Sequence, residues 1–256
     1  MVFAVSFGFW DIYNFACLEY DLAQNMTDQS VDELVAQLSI LYSHYRRGVL
    51  DTTNDTTPDL APFRVVIPKL FDPTLVPGWI SQRAAPPGPA TVAEQQKQAV
   101  YLTERWNSRL ENKLGSWVTE YPNLEANFTE PANESGEPPA AGALSKGRII
   151  IEKYVFYYDL PKYLVDIMVE HQLEAEGLTD ASGLGKGKSP FQSVSEPCLK
   201  EGSETEEALI DRHGKLVCGA PENYLFWDDF NLGKVANEAI GTEVARMVKE
   251  GQRMGQ

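Results

Sequence analysis

The chain has 256 residues, of which 43% are hydrophobic, and its formal net charge at pH 7 is −15. This length and apolar content suit one sizeable α/β domain or two small ones, and the acidic charge argues against nucleic acid or an anionic membrane as a partner. No apolar run reaches the about 18 residues that a membrane-spanning helix needs, so we expect no membrane span.

The first apolar segment, residues 2–7, is predicted to form a strand of the sheet. Its continuous apolar character is typical of a parallel strand that is covered on both faces, and Ser6 would lie within it. The segment has neither a basic lead nor a cleavage site, so it does not indicate a signal peptide. The following Gly8-Phe-Trp-Asp11 is expected to be the strand end, with aromatic side chains that fill the core.

Two long amphipathic helices are predicted next, and each begins with a capping box. The first box is Ser30-Val-Asp-Glu33, and its helix is expected to end near Gly48. His44 lies off the apolar stripe of that helix and is predicted to be at the surface. The second box is Thr91-Val-Ala-Glu94, and the helix behind it has an apolar face made of Ala99, Leu102, Trp106, Leu110, Leu114 and Trp117.

Two further strands are predicted from apolar runs, at residues 63–70 and 148–156. Pro68 indicates that the first of these ends near that residue, because proline cannot donate a hydrogen bond to the ladder. Asp159 follows the second run and is a predicted N-cap for the next helix.

Three polar segments are predicted to be flexible loops, at about residues 51–62, 126–147 and 177–206. The third contains Gly183-Leu-Gly185-Lys-Gly187, whose spacing fits neither the Walker nor the dinucleotide pattern. The chain has three scattered histidines and no Cys-x-x-Cys pair, so we expect neither a metal site nor a cofactor.

Four glycosylation sequons occur in the chain, at Asn25, Asn54, Asn127 and Asn133. Such acceptor sites are used only if the chain enters the secretory pathway. Several of them lie in polar, proline-rich stretches that are expected to be surface loops. The sequons therefore favour a secreted glycoprotein, although no signal peptide is visible.

The C-terminal segment at residues 224–233 combines a short apolar strand with two carboxylates. Leu225, Phe226 and Trp227 predict the strand, Asp228 and Asp229 follow it, and Asn231 is expected to cap an amphipathic helix. A carboxylate at a strand end beside a helix start is where open α/β sheets place their chemistry.

This segment resembles the last motif of the GDSL esterases, also called SGNH hydrolases. In that family the motif is Phe-Trp-Asp-x-x-His-Pro-Thr, and its Asp and His complete a triad with an upstream Ser. The chain has Phe226-Trp-Asp-Asp-Phe-Asn-Leu-Gly233, so Asp228 matches the Asp and Asn231 stands at the His position. An Asn amide cannot take the proton of a serine nucleophile.

The resemblance extends to the N-terminal end of the chain. Gly8-Phe-Trp-Asp11 is similar to the third family motif, Gly-x-Asn-Asp, whose Asn donates a hydrogen bond to the oxyanion. Gly8 and Trp10 thus occupy the oxyanion position, with an indole in place of the amide. Relocated bases are conceivable at His171 and His213, of which His213 is the better candidate.

The resemblance implies a three-layer, flavodoxin-like fold with a parallel sheet flanked by helices, in a single domain over residues 1–256. The motif that carries the nucleophilic Ser precedes the third motif in the family and is not found here. We therefore expect a sheet that is incomplete at its N-terminal strands and an exposed apolar edge at residues 2–7. A partner strand or a missing N-terminal segment would cover that edge.

The resemblance also implies a disulfide between Cys198 and Cys218, since many secreted members have one directly upstream of the last motif. Closing this loop would stabilise the fold by about 3 kcal/mol. Two free thiols are the alternative. Cys17 is expected to be a buried small residue.

Three functions remain open from the sequence. The first is a degenerate family member without esterase activity that retains a cleft for a glycan, lipid or small ester. The second is a working ester hydrolase whose Ser lies outside this chain and whose base is unconventional. The third is a secreted acidic glycoprotein with a structural or interaction role.

Overall fold

The computed structural model describes residues 1–52, 61–86, 90–120, 150–185, 187–200, 209–210, 216–251 and 254, with only the backbone described at 50–52, 209–210 and 216. The helices are α1 (Phe9–Phe15), α2 (Tyr20–Thr52), α3 (Gly78–Ser81), α4 (Val92–Thr119), α5 (Leu160–Glu176) and α6 (Lys234–Glu250). The strands are β1 (Phe3–Ala4), β2 (Phe63–Pro68), β3 (Lys153–Tyr158), β4 (Ser193–Pro197), β5 (Leu199–Lys200), β6 (Leu209–Ile210), β7 (Leu216–Val217) and β8 (Tyr224–Phe226).

A parallel sheet of three strands, in the order β1-β2-β3, forms the centre of the described structure. Phe3 pairs with Val65, and Val65 pairs with Val155. Along β2, Val65 and Ile67 contact one apolar cluster, whereas Val66 contacts another. Because successive side chains of a strand point to opposite faces, helices cover both faces of this sheet.

The layer on the Val65 face is formed by α2 and α4. The predicted apolar face of α4 is fully buried, and its predicted capping box is confirmed, with Thr91 and Glu94 bonding to each other's backbone N–H groups. Salt bridges join the helices along one side, among them those from Arg105 to Asp28 at 2.8 Å and from Arg109 to Asp32 at 2.9 Å.

The layer on the opposite face is formed by α6, whose Met247 packs against Val66, Phe156 and Tyr158. The protein is thus a mixed α/β fold in which a parallel sheet lies between helices, as expected. This arrangement is compatible with a flavodoxin-like fold.

Within the described residues β1 pairs with β2 alone and is therefore an edge strand, while Phe3 and Val5 of the expected apolar edge are partly buried against the core. Val2 and Phe7 are both exposed beside it. The strand itself is shorter than predicted, since β1 covers two residues and the chain turns into α1 directly after Gly8. Gly8-Phe-Trp-Asp11 is therefore a helix start and not a strand end.

Helix α2 begins ten residues before the predicted capping box at Ser30 and continues past Gly48. The buried stripe of the helix extends back through Ala23 and Thr27, both of which are fully buried. Tertiary packing thus extends the helix beyond its local start signal. His44 is exposed, as predicted.

One strand prediction is corrected in its position, and one loop prediction is corrected because part of the segment forms strands. The run at 148–156 forms a strand only from Lys153, which continues to Tyr158; residues 148 and 149 lie outside the described residues. Part of the segment predicted as a flexible loop, from Ser193 to Lys200, forms β4 and β5. β4 pairs in parallel with β8, and β7 lies between β5 and β6 in a small antiparallel sheet.

The segment around Gly185 is bound to α5 by carboxylates. The two carboxylate oxygens of Glu170 accept hydrogen bonds from the Gly185 and Gly187 N–H groups at 2.7 and 2.8 Å, and Glu174 accepts one from Ser189 at 2.7 Å. These N–H groups are satisfied within the chain, in agreement with the prediction that this glycine-rich run is not a phosphate loop. The predicted N-cap of α5 is confirmed, because Asp159 accepts from the Lys162 N–H at 3.1 Å.

Candidate functional site

A pocket of about 450 Å³ lies where the chain leaves three strands. Residues 6–11 follow β1, Phe71 follows β2, and Phe230 and Asn231 follow β8, and all of them line this pocket. The carboxyl ends of parallel strands are the usual position of ligand sites in α/β folds. The two segments that carry the family resemblance, which are more than 200 residues apart, therefore meet at one site.

Gly8 is required for the turn that brings α1 to this pocket. Its φ is +105°, and a Cβ atom built there would lie 2.5 Å from the Trp106 ring. Any other residue would be strained by the left-handed backbone and would collide with that ring. The glycine at the first motif position is thus explained by backbone geometry and packing on α4.

Aromatic rings form one wall of the pocket. The ring centroids of Trp10 and Phe230 are 4.7 Å apart, and those of Phe9 and Phe71 are 5.3 Å apart. Trp10 is 53% exposed, so its ring is available to a ligand. It lies in the first turn of α1 and packs on Phe230, so it is part of an aromatic surface. Among the described residues its indole N–H makes no hydrogen bond.

The Asp228 carboxylate is fully engaged by the turn that follows it. One oxygen accepts from the backbone N–H groups of Phe230 and Asn231 at 2.9 and 2.7 Å. The Asn231 side-chain amide donates to both oxygens, at 3.0 and 2.9 Å. The prediction that Asn231 caps α6 is therefore wrong, since α6 begins at Lys234 with Gly233 as its N-cap.

Asp229 ties the same turn to the chain after β2. Its carbonyl oxygen accepts from the Gly78 N–H at 2.8 Å. Its two carboxylate oxygens accept from Ser81 and Gln82 at 2.9 and 2.8 Å. A Cβ atom at Gly78 would lie 2.5 Å from the Phe230 ring, so these contacts also fix the ring that lines the pocket.

Asp11 is a half-buried carboxylate that the family resemblance did not single out. Its side chain has no hydrogen bond or ion pair among the described residues. Burial raises the pKa of Asp11 above its ordinary value of 3.8. It lines the pocket of Asn231 and also an adjoining cavity beside α2.

The other predicted residues lie elsewhere. His171 contacts the Gln192 carbonyl at 3.2 Å in a separate pocket and does not line the one at Asn231. Ser6 lies after β1, not within a strand, and it is exposed at the pocket. Asn25 is exposed on α2, whereas His213 and the sequons at Asn54, Asn127 and Asn133 lie outside the described residues.

The disulfide between Cys198 and Cys218 is confirmed. It lies directly behind the Asp228 turn, because the Cys198 N–H donates to the Phe226 carbonyl at 3.1 Å and the Leu199 N–H donates to Trp227 at 2.7 Å. Cys17 is exposed, so the prediction that it is buried is wrong.

Sequence reasoning gave no pocket role to Asp11 or Phe230. Their positions in the two motifs, beside Gly8 and Asp228, are the only signal that could have indicated them, because the motifs converge only in the tertiary fold. Within the described residues, no group of three or more His, Cys, Asp or Glu could hold a metal ion. None of the helices described is long and apolar enough to cross a membrane.

Comparison with protein-family models and with curated proteins finds no match to this chain.

Proposed function

We propose that this chain is an SGNH-hydrolase-like protein that binds a small organic ligand, of the ester or glycan type, without hydrolysing it. The observation that carries the proposal is the contact between the Asn231 amide and the Asp228 carboxylate at 3.0 and 2.9 Å. In the family that Asp orients the His base. Here the same carboxylate orients a group that cannot accept a proton.

Three features of the pocket support ligand binding. It lies at the carboxyl ends of strands, its volume of about 450 Å³ suits a small molecule, and one wall is aromatic. The described residues that line it include no histidine, and among them Ser6 carries the sole hydroxyl group. A serine without a neighbouring base is a weak nucleophile, which supports binding without turnover.

The test compares the wild-type chain with Asn231→His in the hydrolysis of p-nitrophenyl butyrate. The wild type is expected to hydrolyse the ester no faster than buffer does. Because Asp228 is already placed to orient a group at position 231, Asn231→His is the variant in which a base would be restored. Wild-type hydrolysis that a serine-reactive phosphonate abolishes would refute the proposal.

We also propose that the protein is extracellular. The Cys198–Cys218 disulfide supports this, because disulfides persist mainly in oxidising compartments. Occupancy of the sequon at Asn25, measured by mass spectrometry on protein from its source, tests the location. An entirely reduced, unglycosylated protein would contradict it.

A further inference from the structure

A second cavity of about 430 Å³ adjoins the pocket at Asn231. Phe7 and Asp11 line both spaces, so the two adjoin at these residues, and the pair of cavities is called the groove below. Phe7 is 69% exposed and stands between the two halves. The far side of the second cavity is formed by α2, which contributes Glu33 and Gln37.

Among the described residues that line this groove, the charged ones are all negative. They are Asp11 and Glu33, and this described lining contains no Lys, Arg or His in either half. Glu33 accepts a hydrogen bond from the Gln37 amide at 2.6 Å. Asp11 has no such donor among the described residues, so its carboxylate is the unsatisfied group of the groove.

The surroundings of Asp11 decide which ligand would complement it. A half-buried carboxylate without a donor or counter-ion is unfavourable, and burial accordingly raises its pKa. An anionic ligand would add repulsion, and a purely apolar ligand would remove the remaining water from the carboxylate. A cation satisfies the charge, and the exposed faces of Phe7 and Trp10 attract it as well.

We propose that this groove binds an organic ammonium ligand, with the cationic nitrogen at Asp11 and the carbon skeleton on the aromatic rings of Phe7 and Trp10. The proposal rests on the ligand-binding role of the pocket at Asn231 and specifies the chemical class that it accepts. Glu33 lies across the second cavity and contributes a weaker attraction, since the Gln37 amide already satisfies part of it.

Calorimetric titration with choline and with its neutral isostere, 3,3-dimethylbutan-1-ol, tests the charge requirement directly. The two probes have the same shape and differ in the cationic nitrogen. We expect choline to bind at least about tenfold more tightly, because the ionic attraction to Asp11 and the cation–π contact are both lost in the isostere. Tetramethylammonium and spermidine extend the series to smaller and longer cations.

Asp11→Asn, which keeps the side-chain shape, is expected to reduce the preference for choline by the largest factor, and Glu33→Gln to reduce it by a smaller one. Asp21→Asn is the matched control, because Asp21 is an exposed carboxylate on α2 that lines neither cavity. It should leave the preference unchanged. Circular dichroism of each variant establishes that the fold is retained.

Equal affinity for choline and its isostere, an unchanged preference in Asp11→Asn, or no binding of any of the three ammonium probes would each overturn the proposal. A neutral compound bound as tightly as choline would leave the ligand-binding function standing while refuting the charge requirement. Ester hydrolysis by the wild type would refute binding without turnover and would leave the preference for a cationic ligand standing.

Discussion

The Asn231 amide nitrogen lies 3.0 and 2.9 Å from the two carboxylate oxygens of Asp228. The same carboxylate accepts the backbone N–H groups of Phe230 and Asn231, so it closes the turn that follows β8. A single acidic side chain therefore sets the position of both pocket residues that this turn supplies.

Asp228→Ala should destabilise the protein more than Asn231→Ala. The first change removes the acceptor of two backbone N–H groups, each hydrogen bond contributing about 0.5–1.5 kcal/mol, whereas the second removes only the side-chain amide. Urea denaturation of the two variants measures the difference. Equal stabilities would show that the carboxylate does not hold the turn.

Gly8→Ala should be strongly destabilising, because the added Cβ meets the Trp106 ring at 2.5 Å and the backbone φ is +105°. Gly115→Ala is the matched control. Gly115 lies within α4 with no atom within 4 Å of an added Cβ, so alanine should stabilise the protein by about 0.5–1 kcal/mol there. Thermal unfolding compares the two variants, and a loss of stability of similar size in both would contradict the packing described at Gly8.

Asp11→Asn should stabilise the protein at neutral pH. Because burial raises the pKa of Asp11 above 3.8, the folded state holds the proton more tightly than the unfolded chain does. The stability therefore falls as the pH rises from 3.8 through the folded-state pKa and stays reduced above it. Desolvation by burial is the cause of the shift; Glu33 is the other acidic residue of the groove, and none of the described residues that line either cavity is basic.

Unfolding curves of the wild type and Asp11→Asn between acidic and neutral pH check the direction of this pH dependence. The variant should be more stable than the wild type at pH 7, and this difference should disappear below the ordinary pKa of an Asp. A variant that is less stable at pH 7 would show that Asp11 has a stabilising partner. Asp21→Asn should show no comparable gain, since Asp21 is exposed.

Reduction of the Cys198–Cys218 disulfide should lower the stability by about 3 kcal/mol, because the bond closes a loop between residues 20 positions apart. Denaturation with and without reductant gives the value. Cys17→Ser provides the control, as Cys17 is exposed and unpaired with another cysteine. If the reduced and oxidised forms unfold at the same denaturant concentration, the disulfide does not stabilise the fold.

Local sequence signals correctly predicted two helix starts and one strand end. The capping box at Thr91 begins α4, Asp159 caps α5, and Pro68 ends β2. The family resemblance predicted the pairing of Cys198 with Cys218, and the structure contains that disulfide. Periodicity likewise identified the buried face of α4 because a long helix repeats its pattern over many turns.

Other features depend on contacts that a sequence pattern does not contain. The start of α2 is set by the burial of Ala23 and Thr27 and not by the signal at Ser30. Asn231 is a good N-cap residue, yet its amide is taken by Asp228. The proposed role of Asp11 in binding a cation depends on the tertiary fold. Two cavities share this residue, and its carboxylate has no partner among the described residues.

Binding without turnover is tested most directly by one titration with p-nitrophenyl butyrate, in which Trp fluorescence and the release of p-nitrophenolate are followed together. Because the exposed Trp10 ring lines the pocket, we expect a saturable change in fluorescence with no p-nitrophenolate above the buffer rate. Multiple turnovers of the ester by the wild-type chain would contradict the account, and so would a fluorescence signal that never saturates.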